Sequence, residues 1–409
     1  MDTITHDVLR HLKFLRQTLS QDKKPIAFLI SAGCPLSVME TGSPPLIPDM
    51  KGLANHVASE LASKTIISDL YDKLIQELKS ATRNEHNLED ILSFIRSLKD
   101  VAQGDGTVRG FKENELADLE TEICECIVSK LKVKLPDEKT PYHKLAKWIS
   151  SINRDDKAIE IFTTNYDLLM EQALEDMTIP YFDGFVGSRQ SFFDLRSVEE
   201  NLIPKHWARL WKIHGSINWF QKEDKEVFRS DAYKTDIDGS NASYLIYPSH
   251  LKYDQSRKMP FLALSDQLSR FLKQPSAALI LCGYSFNDEH INDTIVNAIK
   301  SNPTAIVIAL MFGNMKTDDK ENYPKGVEIA KRRHNLSFWT NDEAIIGTNQ
   351  GKWSVMAKDK DSGDTLMNFI HKDSAGDDVV CAKLGDFKVF ADFLSYLIGH
   401  QNEEEKDGK

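Results

Sequence analysis

Residues 159–167 read IEIFTTNYD, and residues 211–219 read WKIHGSINW. Each begins as a short apolar run and passes directly into small polar residues. A strand covered on both faces of a parallel sheet has this continuous apolar character. Polar residues at its end mark the place where such sheets hold ligands. The first stretch delivers Asn165 and Asp167, and the second delivers His214 beside Gly215. A positioned amide, a carboxylate and an imidazole together can orient a hydroxyl or a water and move a proton.

Residues 25–30 (PIAFLI) predict another continuously apolar strand, ending in Ser31, Ala32 and Gly33. Small residues there let backbone amides approach an anion at a strand-to-helix turn. A Pro/Gly-rich loop over 42–52 (GSPPLIPDMKG) follows, then a helix around 53–62. From 65 to 152 the pattern is helical: 88–102 and 116–131 carry apolar residues at helical spacing, Pro136 stops the second run, and Thr140-Pro141 starts another. Strands are then predicted at 159–163, 210–213, 244–247, 277–282, 305–312 and 336–339, with helices at 168–174 and 290–300. Strands and helices alternating at this spacing give an α/β fold with a doubly wound, mostly parallel sheet and an inserted helical subdomain. The expected parts are 1–64, the helical insertion 65–152, the rest of the α/β domain over 153–340, a C-terminal extension 341–401 with a terminal helix, and a charged tail 402–409. Residues 341–378 have too weak a periodicity to assign.

The chain has 409 residues, 41% of them hydrophobic and 28% charged, the balance of a globular protein. A net charge of -11 disfavours a dedicated nucleic-acid binder, which needs a basic surface. No apolar run is long enough for a membrane helix, and no secretory signal is visible at the N-terminus. Five cysteines form no even disulfide framework; Cys34 and Cys282 read as buried thiols, and the expected compartment is the cytoplasm.

Taken singly, each motif has an ordinary structural explanation. Small residues after a strand permit tight packing, Asp167 can simply cap a helix, and a lone histidine is usually a satisfied turn residue. Gly283-Tyr284-Ser285 after the 277–282 strand is one more strand-end turn. Four such ends in order point to a single crevice.

The order Ser31–Ala32–Gly33, Pro48–Asp49, Thr164–Asn165–Tyr166–Asp167, His214–Gly215 and Gly283–Tyr284–Ser285 resembles the sirtuin motifs GAG, PDF, QNID, HG and GTS. The resemblance runs over about 25–292 without the helical insertion. It implies a Rossmann-like domain that binds NAD and cleaves the bond between nicotinamide and ribose. It would place Ser31, Ala32 and Gly33 by the NAD phosphates, Asp49 by the nicotinamide pocket and Asp167 at the carboxamide. Asn165 would hold the ribose or a water, His214 would be the general base, and Gly283 and Ser285 would contact the adenosine side.

The departures sharpen the reading. Ser31 stands for the first Gly, Met50 for the Phe and Lys51 for the Arg of the family pattern. The sequence has no CxxC; Cys124 and Cys126 are two residues apart on a predicted helix, so no zinc is expected. With the helical insertion, this argues against peptide substrates. The chain is similar to the zinc-less sirtuin-like NADases of bacterial antiphage defence, in which water attacks the ribose. That resemblance implies a homo-oligomer assembled with a HerA-type hexameric ATPase, no membrane contact, and nucleic acid only through a complex. Two other readings stay open: an NAD-dependent deacylase or ADP-ribosyl transferase, and a non-catalytic module that binds NAD or ADP-ribose.

Overall fold

The computed structural model describes residues 4–39, 43–81, 87–104, 106–137, 139–152, 157–189, 191–222, 226–231, 243–246, 260–356, 364–372 and 380–399. Its centre is a ten-stranded sheet of β1 (Thr5–Asp7), β2 (Ile26–Ile30), β3 (Glu160–Thr163), β4 (Tyr181–Phe182), β5 (Ala208–Lys212), β6 (Ala278–Cys282), β7 (Ile306–Leu310), β8 (Leu336–Trp339), β9 (Glu343–Ile346) and β10 (Asn349–Ser354). The strands lie in the order β1-β10-β9-β8-β7-β6-β2-β3-β5-β4. Neighbours from β4 through to β8 pair parallel, while β9 pairs antiparallel to both β8 and β10.

Strand β2 shows why the apolar runs are continuous. All five of its residues are buried, and alternate side chains point to opposite faces of a sheet. Ile26, Phe28 and Ile30 enter one core with Trp148 and Phe390, whereas Ala27 and Leu29 enter another with Leu264, Phe271 and Ile295. Phe28 meets Trp148 edge to face at 5.4 Å between ring centroids. A polar residue anywhere in β2 would therefore be buried without a partner.

The covering helices are α1 (Val8–Leu19), α2 (Met50–Ala62), α3 (Thr65–Ser80), α4 (Leu88–Val101), α5 (Glu113–Leu131), α6 (Pro141–Ser151), α7 (Leu169–Asp176), α8 (Leu195–Glu200), α9 (Phe261–Leu272), α10 (Glu289–Ser301), α11 (Pro324–Arg332) and α12 (Phe387–Leu397). Their starts follow local chemistry: Asp49 accepts the Gly52 N–H at 2.7 Å to begin α2, and Thr140 with Pro141 begins α6. Helix α4 is fixed to α5 by a largely buried ion cluster, Arg96 and Lys99 on Glu120, each at 2.7 Å. Among the described residues no helix is long and apolar enough to cross a membrane.

One predicted strand lies elsewhere. Residues 244–247 were expected to belong to the central sheet; instead Ser243–Ile246 pairs antiparallel with Gly215–Gln221 in a separate five-stranded sheet, and Tyr247 lies outside the described residues. That sheet continues through Val227–Arg229, Ser191–Phe193 and Phe185–Val186, all antiparallel. A short apolar run carries no record of which sheet it joins. The chain leaves β5 at His214, and Gly215, with φ of 90°, redirects it into the second sheet. Residues 343–354, in the stretch without an assignable pattern, supply two strands of the central sheet, and α12 packs on α6 beneath it. The tail expected at 402–409 lies outside the described residues.

Candidate functional site

The chain runs from β2 to β3 and β5 on one side, then crosses back to β6 on the other. The connections after these strands consequently diverge at one end of the sheet, where α/β proteins hold ligands. A cleft of about 260 Å³ occupies this point. Ser31 and Ala32 enter it after β2, Asn165, Tyr166 and Asp167 after β3, His214 after β5, and Tyr284, Ser285, Asn287 and Asp288 after β6. Pro48, Met50 and Leu53 at the start of α2, Asn87 and Glu89 at the start of α4, and Leu131 of α5 form the facing wall.

Hydrogen bonds join the loops. Ser31 Oγ and Thr164 Oγ1 lie 2.6 Å apart, and Asn165 donates through Nδ2 to the Ser31 carbonyl at 3.3 Å. Asn165 N–H itself donates to Thr163 Oγ1 at 3.0 Å. The Tyr166 carbonyl accepts from Ile217 N–H at 3.0 Å, which ties this loop to the strand leaving His214. The Tyr166 hydroxyl donates to Glu89 Oε1 at 3.0 Å, docking α4 on the cleft.

His214 and Asp288 face each other, with Nε2 2.9 Å from Oδ2 and side chains 9% and 16% exposed. Burial favours the neutral acid at Asp288. The His214 hydrogen bond and charge, with the Ile291 N–H, outweigh it and hold the carboxyl at about 2. The loop beneath is strained and firmly mounted: Phe286 takes a φ of 61°, and Asn292 donates to its carbonyl at 2.8 Å. The Tyr284 hydroxyl lies 2.8 Å from Asn292 Oδ1 and 3.1 Å from the Asp288 carbonyl.

A buried charge pair sits under the Asn165 loop. Lys212, 1% exposed, binds Glu171 Oε1 at 2.8 Å and donates to the Asp167 carbonyl. The Asp167 carboxylate accepts the Leu169 N–H at 3.0 Å. Burial raises the carboxyls of both Asp167 and Glu171 against the opposing pull of Lys212.

Of the nine residues expected at the site, Ser31, Ala32, Asn165, Asp167, His214 and Ser285 line one cleft. The other three stand just behind it. Gly33 and Gly283 press against each other: a Cβ on Gly33 would come 2.8 Å from the Gly283 Cα. The Asp49 carboxylate caps α2, and its neighbours Pro48 and Met50 form the wall. Sequence reasoning passed over Asp288, Asn292, Glu89 and Lys212. An Asp just before a helix signals only a cap, whereas a lysine inside an apolar strand was a visible anomaly that called for a buried partner. Among the described residues no group of three His, Cys, Asp or Glu is placed to hold a metal ion.

A Sir2 homologue in complex with NAD matches with 12% identity, covering 80% of this chain and 89% of that one, with a TM-score of 0.41. A Sir2 homologue mutant in complex with 2′-O-acetyl-ADP-ribose matches with 13% identity over 75% of this chain and 86% of that one, with a TM-score of 0.37. No curated protein matches the chain. The family model described as SIR2-like domain matches residues 159–333, the stretch that delivers Asn165, Asp167, His214, Ser285 and Asp288 to the cleft.

Proposed function

We propose that the cleft binds NAD and that the chain hydrolyses its nicotinamide–ribose bond, releasing nicotinamide and ADP-ribose. The observation that carries this reading is the convergence of Ser31, Asn165, His214 and Ser285 from four adjacent strand ends onto one cleft. The match of residues 159–333 to a SIR2-like domain supports it. Departure of nicotinamide leaves positive charge on the ribose ring. Asn165 both donates and accepts, so it can hold a water or ribose hydroxyl against that centre without adding charge. His214 takes the proton released when the water oxygen bonds to C1′. Ser31 and Ala32 present a strand end to the phosphates, Ser285 serves the adenosine side, and Asp167 orients the carboxamide. NAD depletion in bacterial antiphage defence, by a homo-oligomer working with a HerA-type hexameric ATPase, is the biological setting we assign on the form of the TTNYD and IHGS motifs.

The test is mass spectrometry of NAD, nicotinamide and ADP-ribose after incubation with wild type, His214→Ala and Asn165→Ala, with and without the ATPase. Each variant is expected to lower turnover by roughly 10²–10⁴. Wild-type rates in both variants would sink the assignment, and acyl transfer from an added acylated peptide to ADP-ribose would move it to the deacylase class.

A further inference from the structure

We infer that Asp288 is a positioning residue for His214: its carboxylate takes the Nε2–H of the imidazole and leaves Nδ1 as the nitrogen that accepts the proton. This rests on the reading of the cleft as an NAD-hydrolysing site. The two side chains lie 2.9 Å apart and both line the cleft. A carboxyl held at about 2 is ionised at neutral pH, so Asp288 offers only acceptors. A neutral imidazole facing it must then carry its proton on Nε2.

The carboxylate is itself anchored. Its Oδ1 accepts the Ile291 N–H at 3.0 Å, capping α10. Its backbone belongs to the loop that Tyr284 and Asn292 hold. Asp288 therefore transmits the rigidity of α10 to the imidazole ring. In turnover the C1′–N bond breaks, and its electron pair goes to the ring nitrogen of the departing neutral nicotinamide. The water oxygen bonds to C1′, and its proton passes to His214 Nδ1. The imidazolium formed already faces a charged carboxylate at hydrogen-bond distance, so the charge needs no rearrangement to be stabilised.

Asn and Ser cap helices about as well as Asp. Asp288→Asn and Asp288→Ser therefore keep the start of α10 while removing the charge, and Ser is also too short to reach His214. The full chain, labelled with ¹⁵N-histidine, is examined by imidazole ¹⁵N NMR, the His214 signal being assigned by its loss in His214→Ala. ADP-ribose affinity is measured by calorimetry and NAD turnover by nicotinamide release. Wild type should show His214 as the Nε2–H tautomer. Both variants should lose roughly 10²–10⁴ in turnover at unchanged ADP-ribose affinity, with the tautomer signature lost. Wild-type turnover in both variants, or an Nδ1–H tautomer in the wild-type protein, overturns the inference. If wild type releases no nicotinamide under any condition, the hydrolase reading falls, and the tautomer still decides the role of Asp288.

Discussion

Replacing Lys212 by Met removes the charge on which the loop after β3 is built. Lys212 and Glu171 have side chains only 1% and 11% exposed, and Glu171 Oε2 has no hydrogen-bond partner. The substitution leaves the Glu171 carboxylate buried without a counter-charge and takes a donor from the Asp167 carbonyl. Breaking a buried pair by removing one partner costs about 3–5 kcal/mol. The only relief is protonation of Glu171, whose carboxyl is already raised by burial. A folded-state value above the unfolded one means that the destabilisation is full above the folded value. It fades as the pH falls toward the unfolded value, where both states are protonated. The expected result in urea titrations is therefore a deficit of about 3–5 kcal/mol at pH 8 that shrinks progressively toward pH 5. Adding Glu171→Leu should recover most of it and leave about 1–3 kcal/mol for the orphaned Asp167 carbonyl. A Lys212→Met variant within about 1 kcal/mol of wild type at pH 8, with no pH dependence, would show that the pair is worth no more than a surface ion pair.

Gly283→Ala should destabilise the protein by more than the roughly 1–2 kcal/mol of a left-handed non-glycine residue. Gly283 has a φ of +64°, and its Cβ would fall 2.6 Å from Cys34 N; thermal unfolding reads the loss, and a neutral result contradicts the packing. Burial raises the Glu160 carboxyl to about 7, although the Trp211 N–H and Arg209 pull it down. The folded state then binds the extra proton, so this group's stabilisation is present in acid and is lost as pH rises through about 7. Glu160→Gln should accordingly be more stable than wild type at pH 8 and should flatten the stability profile between pH 5 and 8, as followed by urea midpoints. None of the five cysteines is in a disulfide and all are buried, and burial pushes the Cys34 and Cys282 thiols up. A chromogenic disulfide reagent should find no rapidly reacting thiol in the native protein and five in denaturant.

Much of the architecture was legible because burial leaves a local record. Strands β2, β6 and β7 are continuous apolar runs since both faces are covered, and the run of β2 ends at Ser31, where polar residues resume. Helix α6 is legible from Thr140-Pro141, because capping and the fixed φ of proline act within one turn. The second sheet was not legible. Its strands are short, and their partner is chosen by the redirection of the chain at Gly215 rather than by their composition. The same limit applies to the site: Asn165 and His214 stand out because polar residues end apolar strands, but Asp288 reads as an ordinary helix cap.

Which residue types stand at the ends of the central strands is a local matter, because an apolar run must stop where its cover stops. The close approach of Gly33 to Gly283 and the docking of α4 on Tyr166 through Glu89 arise from long-range packing. The Asp288–His214 and Lys212–Glu171 pairs arise in the same way. Local chemistry acts over a few residues, whereas these contacts join elements far apart in the chain. They exist only once strand order and helix packing have brought those elements together.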